Sequence, residues 1–476
     1  MSETSSLKLA VIGAGPGGYA AAFLAADLGM QVTLIDPEAN PGGVCLYRGC
    51  IPSKALLHVA KLIEESEQAK NWGIEFPTPK IDLPRLRSWK ENVVKKLTGG
   101  LGHLSKQRKV GYVQGHAAFE NSNTLHVTKH DKTESTESFD RIIVATGSRP
   151  ATIPTFKINS PHLMDSTGAL NLEDIPGTLL VVGGGYIGLE LGSVYAALGT
   201  RVTVVEMLPG LLPGADRDLV VPLHKRLEKM FEAILLDTTV VSLNQETKGI
   251  RARFEGPTIN DANREKIVDR VLVSVGRKPN SDIPGLENTQ VKIGARGFIE
   301  VNRQLQTADP SIYAIGDVVG EPMLAHKASH EGRVAIEAIA GHKVAFEPNA
   351  IPAVVFTDPE VAWAGLTETQ AEKEKREIKV AKFPWGASGR AVTLDRPDGM
   401  TKLLIDPQTE RVLGVGIVGV GAGELIAEGV LAIEMAALAS DVAMTIHPHP
   451  TLSETVMESA EVFFGTSTHV FRPKRG

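Results

Sequence analysis

Two stretches of the chain share one pattern of hydrophobic and polar positions. In the first, an apolar run at residues 7–12 is followed by a glycine-rich turn, an alanine-rich segment and a second apolar run that ends at Asp36. The second stretch begins with the apolar run at residues 179–182 and ends in the same way at Glu206. This order of apolar runs, turn and helical segment predicts two strand–helix–strand units with parallel strands.

Glycines at matching positions in the two turns indicate that each unit binds a dinucleotide. One such turn is weak evidence, but both first glycines precede the acid of their unit by 23 residues (36 − 13 and 206 − 183). The first glycine permits a tight turn, the second lets the backbone approach a pyrophosphate, and the third lets the helix pack closely on the strand. The acid can accept hydrogen bonds from a ribose. These glycines are Gly13, Gly15 and Gly18 in the first unit and Gly183, Gly185 and Gly188 in the second.

The acid of the second unit also bears on which nicotinamide cofactor is bound. The Glu206 carboxylate would repel a 2′-phosphate, and residues 207–215 contain no arginine to bind one. The sequence therefore favours NAD over NADP.

The pattern outside the two units predicts further domains. Residues 64–109 have helical periodicity, and residues 111–140 are typical of short strands with polar turns. The apolar segments 141–150 and 270–280 are similar to each other and would each close a unit, and residues 307–317 predict another strand. From about residue 350 the pattern changes, and we expect a further domain of strands and helices to begin there.

Composition excludes several classes of function. The length of 476 residues suits about three domains at roughly 150 residues each. With 50 Lys and Arg against 56 Asp and Glu, the net charge of −6 offers no basic excess to attract nucleic acid or anionic lipid. The longest apolar stretch, residues 412–439, contains Glu424, Glu428 and Glu434, so we do not expect a membrane span. The N-terminal residues lack the design of a signal peptide, and we expect a cytoplasmic protein.

The chain has only 2 cysteines, Cys45 and Cys50. They cannot build a disulfide scaffold or complete a structural zinc site, so no metal site is expected. In a regular helix this spacing exceeds the usual Cα–Cα maximum of a disulfide, about 7 Å, so a bridge would require a distorted start of the helix. Gly49 supplies flexibility there, and Pro52 fits the first turn of a following helix, where a thiolate on Cys50 would be stabilised. The alternative is two buried thiols that never pair.

Three motifs together resemble those of the pyridine nucleotide–disulfide oxidoreductases. The segment CLYRGCIPSK, from Cys45 to Lys54, is similar to the redox-active disulfide motif of that family. The segment HPHPTLSE at 447–454 is similar to its C-terminal catalytic motif, and MLAHK at 323–327 occurs between them. The set covers essentially the whole chain and is most similar to the members of the family that oxidise dihydrolipoamide.

The resemblance implies an α/β fold with two Rossmann-like domains, the second inserted in the first, and an α+β dimerisation domain. The four regions would be an FAD-binding domain at 1–150, an NAD-binding domain at 151–276, a central domain that completes the FAD site at 277–348, and the interface of a homodimer at 349–476.

The resemblance also implies the residues that contact each cofactor. Many relatives carry glutamate where this chain has Asp36, and the shorter acid should still reach the ribose. Asp317 would accept hydrogen bonds from the ribityl chain. The implied FAD residues are Gly13, Gly15, Gly18, Asp36, Gly43, Lys54, Thr146, Gly147, Asp317 and Ala325, and the implied NAD residues are Gly183, Gly185, Gly188, Glu206 and Gly276.

The implied chemistry is a disulfide relay. Cys45 would exchange with the substrate thiols, and Cys50 would pass electrons to FAD, from which NAD is reduced. His449 is suited to act as the base that thiol–disulfide exchange needs, with Glu454 orienting its ring. Lys54 would pair with Glu190 beside the flavin, where the alternative is a surface salt bridge that contributes little.

The resemblance further implies a partner that carries the substrate. The lipoyl group would be attached to a separate carrier domain or protein, and the acyltransferase core of a 2-oxo acid dehydrogenase complex would be a second partner. The glycine cleavage system is an alternative destination for the same chemistry.

Two departures from the family pattern leave alternatives open. Most of these relatives have Asn and a small apolar residue where this chain has Tyr47 and Arg48. Arg48 either stabilises a thiolate between the cysteines or faces away from them. Tyr186 stands at a position that is more often aliphatic, and it either covers the flavin or is simply packed in the protein.

Other functions agree less well with the sequence. Mercuric reductases and larger thioredoxin reductases need further C-terminal cysteines, and soluble transhydrogenases lack this cysteine pair. The remaining enzyme alternative is a glutathione-reductase-like disulfide reductase that uses NAD(P)H. A non-catalytic dinucleotide-binding scaffold is the alternative from another class.

Overall fold

The structure, a computed structural model, describes residues 7–156 and 158–471 of the chain. The predicted ends of the first and last regions, residues 1–6 and 472–476, lie outside the described residues, as does Lys157. The first part of the chain contains the strands β1 (Lys8–Ile12), β2 (Gln31–Asp36), β3 (Gly111–Asn121), β4 (Thr124–Lys129), β5 (Glu134–Ser138), β6 (Arg141–Val144) and β7 (Ser148–Pro150). Its helices are α1 (Pro16–Asp27), α2 (Gly43–Arg48), α3 (Cys50–Gln68) and α4 (Leu83–Gln107).

The second part of the chain repeats the opening unit. It contains the strands β8 (Leu163–Met164), β9 (Thr178–Val182), β10 (Arg201–Val205), β11 (Ala233–Leu235), β12 (Thr239–Glu246), β13 (Gly249–Glu255), β14 (Glu265–Val268), β15 (Arg270–Val273) and β16 (Arg277–Pro279). Its helices are α5 (Ser166–Asn171), α6 (Tyr186–Ala197) and α7 (Arg217–Met230).

The last part of the chain begins with β17 (Ile312–Ala314) and α8 (Ala325–Ile339). It continues with the strands β18 (Ala353–Val355), β19 (Glu360–Gly365), β20 (Lys379–Pro384), β21 (Met400–Ile405) and β22 (Val412–Gly419). The helices around them are α9 (Glu368–Glu374), α10 (Gly389–Thr393), α11 (Ala422–Glu434), α12 (Ala439–Met444) and α13 (Glu454–Phe464). Among the residues that the structure describes, short 3₁₀ turns lie at 69–72, 154–156, 286–288, 316–318 and 385–387.

Two sheets with parallel cores form from the repeated units. The first has the strand order β17-β6-β1-β2-β3-β4-β5 and the second the order β11-β10-β9-β15-β8. β1 and β9 are almost wholly buried, which is the environment that near-continuous apolar runs predict. Another sheet, which has five strands in the order β18-β19-β22-β21-β20, is antiparallel.

The second sheet is inserted in the first. The chain leaves the first sheet after β6 and returns at β17, which pairs in parallel with β6 so that Ile312 lies opposite Ile142. All strands of the second sheet are formed between these two points. The predicted α/β fold with an inserted unit is therefore confirmed, while the exact region boundaries stay predictions.

Two elements differ from the sequence pattern. The helical periodicity of residues 64–109 is interrupted, since α3 ends at Gln68 and residues 73–82 have no regular structure before α4. Pro77 and Pro79 lie in this gap and cannot donate the hydrogen bonds of a helix interior. The strand predicted at 307–317 is limited to three residues, because Gly316 has φ +78 and turns the chain.

A buried lysine joins the second sheet region to the C-terminal domain. Lys402 of β21 is 1% exposed, and its Nζ lies 2.8 Å from Asp216 Oδ2, 2.8 Å from Asp218 Oδ1 and 2.6 Å from Glu368 Oε1. One ammonium group therefore neutralises carboxylates next to α7 and on α9. Within the described ranges, no helix has an apolar stretch long enough to cross a membrane.

Candidate active site

A cavity of about 570 Å³ lies at the carboxyl ends of β1, β6 and β17. Crevices at the carboxyl ends of parallel strands are where α/β folds bind ligands. Twelve predicted site residues line it, from both halves of the chain. They are Gly13, Gly15, Asp36, Gly43, Cys45, Cys50, Lys54, Thr146, Gly147, Glu190, Asp317 and Ala325.

The other predicted site residues lie elsewhere among the described residues. Gly18 packs behind the first turn. The second glycine turn follows β9 and lies outside this cavity. The predicted residues that do not line this cavity are Gly18, Gly183, Gly185, Gly188, Glu206, Gly276, His449 and Glu454.

The backbone of each glycine turn leaves no room for side chains at its first and third positions. Gly13 has φ +98 and Gly183 φ +107, a region that favours glycine. A Cβ on Gly18 would lie 1.9 Å from the carbonyl oxygen of Gly13, and one on Gly188 would lie 2.3 Å from that of Gly183. Gly15, in contrast, faces the cavity. The first turn is thus a cradle of bare backbone at the start of α1, which suits a diphosphate group.

The acids of the two units hold their turns in the same way. Asp36 Oδ2 accepts a hydrogen bond from the Ala14 amide at 2.6 Å, and Glu206 Oε2 accepts one from the Gly184 amide at 2.7 Å. Burial raises the pKa of Asp36, and the hydrogen bond from Ala14 opposes this rise. A carboxylate has further lone pairs, so each acid retains capacity for ribose hydroxyls.

The two cysteines lie on either side of a break between helices. α2 ends at Arg48, α3 begins at Cys50, and Gly49 between them has φ −144 and ψ −117. A Cβ on Gly49 would lie 2.8 Å from the Val44 carbonyl oxygen and 3.2 Å from the Cys45 Cα, so the close approach requires glycine. The helix is therefore distorted at the point where the spacing requires it.

The two thiols differ in acidity. Both are free, and the hydrogen bond between them has opposite effects on their pKa values. This bond, reinforced by the charge of Lys54, lowers the pKa of Cys50 to about 7, although burial opposes the change. The same bond and burial raise the pKa of Cys45. In the reduced pair the thiolate therefore resides on Cys50, at the start of α3.

Lys54 and Glu190 form a part-buried ion pair that other groups reinforce. Lys54 Nζ lies 2.8 Å from Glu190 Oε2, and Glu190 is 3% exposed. Glu190 also accepts hydrogen bonds from Ser53 Oγ at 3.0 Å and from the Phe356 amide at 3.0 Å. Lys54 Nζ lies 4.5 Å from the centre of the Phe356 ring. The pair joins three separate parts of the chain beside Cys50, and its role in tuning the flavin stays a prediction.

Sequence reasoning missed several polar residues of the cavity. Ser148 Oγ donates to Asp317 Oδ2 at 2.5 Å, and Arg277 Nε donates to the same Ser148 oxygen at 2.7 Å. The Thr146 hydroxyl donates a hydrogen bond to the Asn280 backbone carbonyl oxygen at 2.7 Å. The similarity of segments 141–150 and 270–280 was the available signal, since β7 and β16 pair there as antiparallel strands. Nothing in the local pattern indicated Ser53 or Phe356.

His449 and Glu454 form a second site on the surface of the C-terminal domain. His449 Nδ1 lies 2.8 Å from Glu454 Oε1, and its side chain is 71% exposed. The Thr451 amide donates to Glu454 Oε2 at 2.7 Å. Although burial acts in the opposite direction, these contacts hold the pKa of Glu454 below its ordinary value. The carboxylate therefore fixes the ring by Nδ1 and leaves Nε2 free to face outward.

The residues that depart from the family pattern take defined places. The Tyr47 hydroxyl donates to the Asn40 carbonyl oxygen at 3.0 Å, and Arg48 pairs with Glu38 rather than with the cysteines. Tyr186 begins α6 and lines the cavity, where burial raises its pKa to about 12. Tyr186 therefore faces the cavity instead of the protein core.

Comparison with known protein families shows the family to which the chain belongs. The family model of pyridine nucleotide-disulphide oxidoreductases matches residues 7–332, and the dimerisation domain of the same family matches residues 351–460. The chain belongs to the pyridine nucleotide-disulphide oxidoreductase family, and the prediction from the motifs is confirmed. It is an oxidoreductase of a family whose cofactors are FAD and NAD, and the second match supports a homodimer.

The chain is also similar to individual members of this family. The chain is 49% identical to the dihydrolipoyl dehydrogenase of Haemophilus influenzae over 98% of this chain and 97% of that one. It is 46% identical to the dihydrolipoyl dehydrogenase of Geobacillus stearothermophilus over 98% of both chains. Among solved structures it is similar to LpdA from Mycobacterium tuberculosis, with a TM-score of 0.88, 25% identity and coverage of 96% of this chain and 99% of that one.

Proposed function

We propose that this chain oxidises dihydrolipoamide to lipoamide and reduces NAD⁺ to NADH, with FAD as its bound cofactor. The observation that carries this proposal is the thiol pair Cys45 and Cys50, which faces the cavity across the break at Gly49. Both curated relatives described above are named dihydrolipoyl dehydrogenases, which supports the choice of substrate.

The cavity residues suit FAD. The bare backbone at Gly13 and Gly15 would hold the diphosphate, and Asp36 would hold the ribose of the adenosine. Asp317, fixed by Ser148, would bind the ribityl chain at the other end, near Cys50. When bound there, FAD would accept an electron pair from the reduced thiols and supply it as hydride to NAD⁺.

The thiol chemistry follows from the unequal pair. With Cys45 and Cys50 joined as a disulfide, a substrate thiolate attacks Cys45 Sγ, the Cys45–Cys50 bond breaks, and Cys50 leaves as a thiolate. The second substrate thiolate then attacks the substrate sulfur bonded to Cys45, which releases lipoyl disulfide and reduces Cys45. The substrate has lost two electrons and the enzyme has gained them. The lowered pKa of Cys50 makes it the better leaving group, since a thiol of lower pKa leaves faster.

We propose that His449 of the partner subunit is the base for these steps. Within one chain His449 does not line the cavity, yet its Nε2 has no hydrogen-bond partner among the described residues, and Ile446, three residues before it, is 95% exposed. The match to a dimerisation domain over 351–460 spans His449 and Glu454. In a homodimer this dyad would meet Cys45 and take the proton of each attacking thiol in turn.

We propose that the substrate arrives on a lipoylated carrier, and that a 2-oxo acid dehydrogenase complex with its acyltransferase core is the assembly served. A cytoplasmic location would supply that carrier. Turnover against several separately purified lipoylated carrier domains, compared with free dihydrolipoamide, tests this part of the proposal. A carrier that gives no higher kcat/KM than the free substrate contradicts it.

One experiment tests the main proposal. The purified protein should be yellow, and addition of dihydrolipoamide should produce a long-wavelength band between thiolate and flavin, followed by reduction of added NAD⁺. A protein that cannot be reconstituted with FAD contradicts the enzyme function. NADPH-dependent reduction of glutathione disulfide without oxidation of dihydrolipoamide would favour the disulfide-reductase alternative.

A further inference from the structure

Arg48 lies in the wall of the cavity, where its side chain meets Glu38 and its charge acts on Asp36. It is the last residue of α2, its side chain is 38% exposed, and it lines the cavity together with Glu38. Its guanidinium pairs with Glu38 and is close enough to Asp36 to stabilise that carboxylate. Asp36 marks the adenosine end, because the acid at the end of the second strand of such a unit binds the ribose.

Glu38, the partner of Arg48, is held in place by side chains that bind its backbone. The Glu38 amide donates to Asp36 Oδ1 at 2.9 Å, and the Glu38 carbonyl oxygen accepts a hydrogen bond from the Tyr112 hydroxyl at 2.9 Å. Tyr47, the residue before Arg48, is bonded to Asn40 on the same loop. The loop after β2 and the end of α2 are therefore tied together, and the guanidinium is directed to the adenosine end.

The charges at this end are unbalanced without Arg48. Asp36 and Glu38 place two carboxylates there, and the diphosphate of FAD would add negative charge. Of the other basic residues that line the cavity, Lys54 pairs with Glu190 and Arg277 with Ser148, while His116 acts on Asp36 together with Arg48. Lys54 is also the cation that lowers the pKa of Cys50.

We propose that Arg48 is a cofactor-binding residue: its guanidinium, oriented by Glu38, faces the diphosphate and ribose of FAD and retains the cofactor. Guanidinium groups bind such oxygens with strong, charge-assisted hydrogen bonds. Glu38 acts as a positioning residue, and its own charge becomes unfavourable once Arg48 is removed. This inference rests on FAD being the cofactor, as in the proposed function.

The test is the affinity of the apoprotein for FAD, measured by the quenching of flavin fluorescence. Arg48→Met should raise the dissociation constant by about tenfold or more, because Glu38 is then left unpaired near the diphosphate. Glu38→Gln keeps a side chain that can hold the guanidinium, so it should weaken FAD binding less than Arg48→Met does. The double variant should recover only the part of the lost affinity that comes from the unpaired Glu38 charge, and should still bind FAD more weakly than the wild type. A dissociation constant of Arg48→Met within about twofold of the wild type overturns the proposal.

Two controls separate this role from a structural one. Arg108→Met removes an exterior arginine that pairs with Asp27 at 3.0 Å between α4 and α1, and it should leave the affinity for FAD unchanged. The melting temperature of the Arg48→Met apoprotein should equal that of the wild-type apoprotein. If Arg48→Met lowers the melting temperature equally with and without FAD, the contact between Arg48 and Glu38 is only structural and the proposal is overturned.

A third measurement addresses the alternative that Arg48 serves the thiols. The pH titration of the thiolate–flavin band should be the same in Arg48→Met and in the wild type, and a shifted midpoint overturns the assignment to the adenosine end. Failure of the wild type itself to bind FAD would contradict the proposed function, whereas normal binding by both proteins contradicts only the role of Arg48.

Discussion

At the scale of single residues, the position of one proton decides the chemistry. Cys50 holds the thiolate because its hydrogen bond with Cys45 and the charge of Lys54 lower its pKa to about 7. A group with a lowered pKa is ionised above that value, so the thiolate–flavin band should fade as the pH falls through about 7.

Replacement of Lys54 should move this titration. In Lys54→Met the nearby positive charge is lost and Glu190 remains, so the band should fade at a pH about one unit higher, and the flavin potential should become more negative. Spectrophotometric titration of the dithiol-reduced protein measures the first effect, and redox-dye equilibration measures the second. Lys61→Met, further along α3 and paired only with Glu65 on the surface, is the matched control. If the pH midpoint of the band and the reduction potential of the flavin are both unchanged, Lys54 forms only a salt bridge and does not tune the flavin.

His449→Ala should separate the two halves of the reaction. Loss of a general base costs about 10²–10⁴-fold in rate, so oxidation of dihydrolipoamide should slow by that order. Reduction of an artificial dye by NADH needs no thiol exchange and should remain nearly intact. His224→Ala, which removes another histidine paired with a glutamate, should affect neither reaction. Equal losses in both half-reactions would exclude His449 as the base.

At the scale of elements, the break between α2 and α3 sets the distance between the cysteines. A Cβ at residue 49 would overlap the Val44 carbonyl oxygen, so Gly49→Ala should push α2 away from α3. We expect slow, incomplete formation of the Cys45–Cys50 disulfide, measured by thiol titration after oxidation. Gly99→Ala in α4 has no neighbour within 4 Å and should keep full disulfide formation while stabilising the helix by up to about 1 kcal/mol. Normal oxidation of Gly49→Ala would contradict this view of the break.

The elements differ in how far the sequence predicts them. The glycine turns, their acids and the need for a break at Gly49 follow from local spacing, because each depends on neighbours in the chain. The Ser53–Glu190 hydrogen bond joins residues 137 positions apart, and the contact of Glu190 with Phe356 spans 166 positions. Local periodicity holds no information on such contacts. The direction of Arg48 was open for the same reason, since it depends on how α2 packs on the loop after β2.

At the scale of the whole molecule, Lys402 connects domains. Lys402→Met would leave the buried Asp216 carboxylate without its cation, whereas Asp218 and Glu368 would keep Lys382, and loss of one partner of a buried ion pair costs about 3–5 kcal/mol. We expect a lower midpoint of denaturant unfolding and a weaker hold on the NAD-binding region, seen as a raised KM for NAD⁺. Lys382→Met is the control, because Lys382 contacts Asp218 and Glu368 but is 33% exposed and should cost less.

The pH dependence gives this prediction a sign. Burial acts to raise the pKa of Asp216 and Asp218, but Lys402 and other donors hold both below their ordinary value. A depressed pKa in the folded state stabilises the protein above the ordinary pKa, and this contribution is lost as the pH falls through the folded value. The difference in unfolding midpoint between the wild type and Lys402→Met should therefore hold from pH 7 down to the ordinary Asp pKa of 3.8 and shrink as the pH falls further. A difference that stays the same below that value would exclude the ionised cluster as its cause.

The pairing of β17 with β6 has a consequence for synthesis of the chain. While the ribosome makes the residues between them, β6 has a neighbour on its β1 side and an open edge on the other. At about 5–20 residues per second this interval lasts on the order of ten seconds, long enough for the inserted sheet to fold first. An open strand edge is prone to pair with other chains. The nascent protein should therefore be most vulnerable to aggregation just before residue 312 leaves the ribosome, and its first cofactor can be held only after the second domain exists.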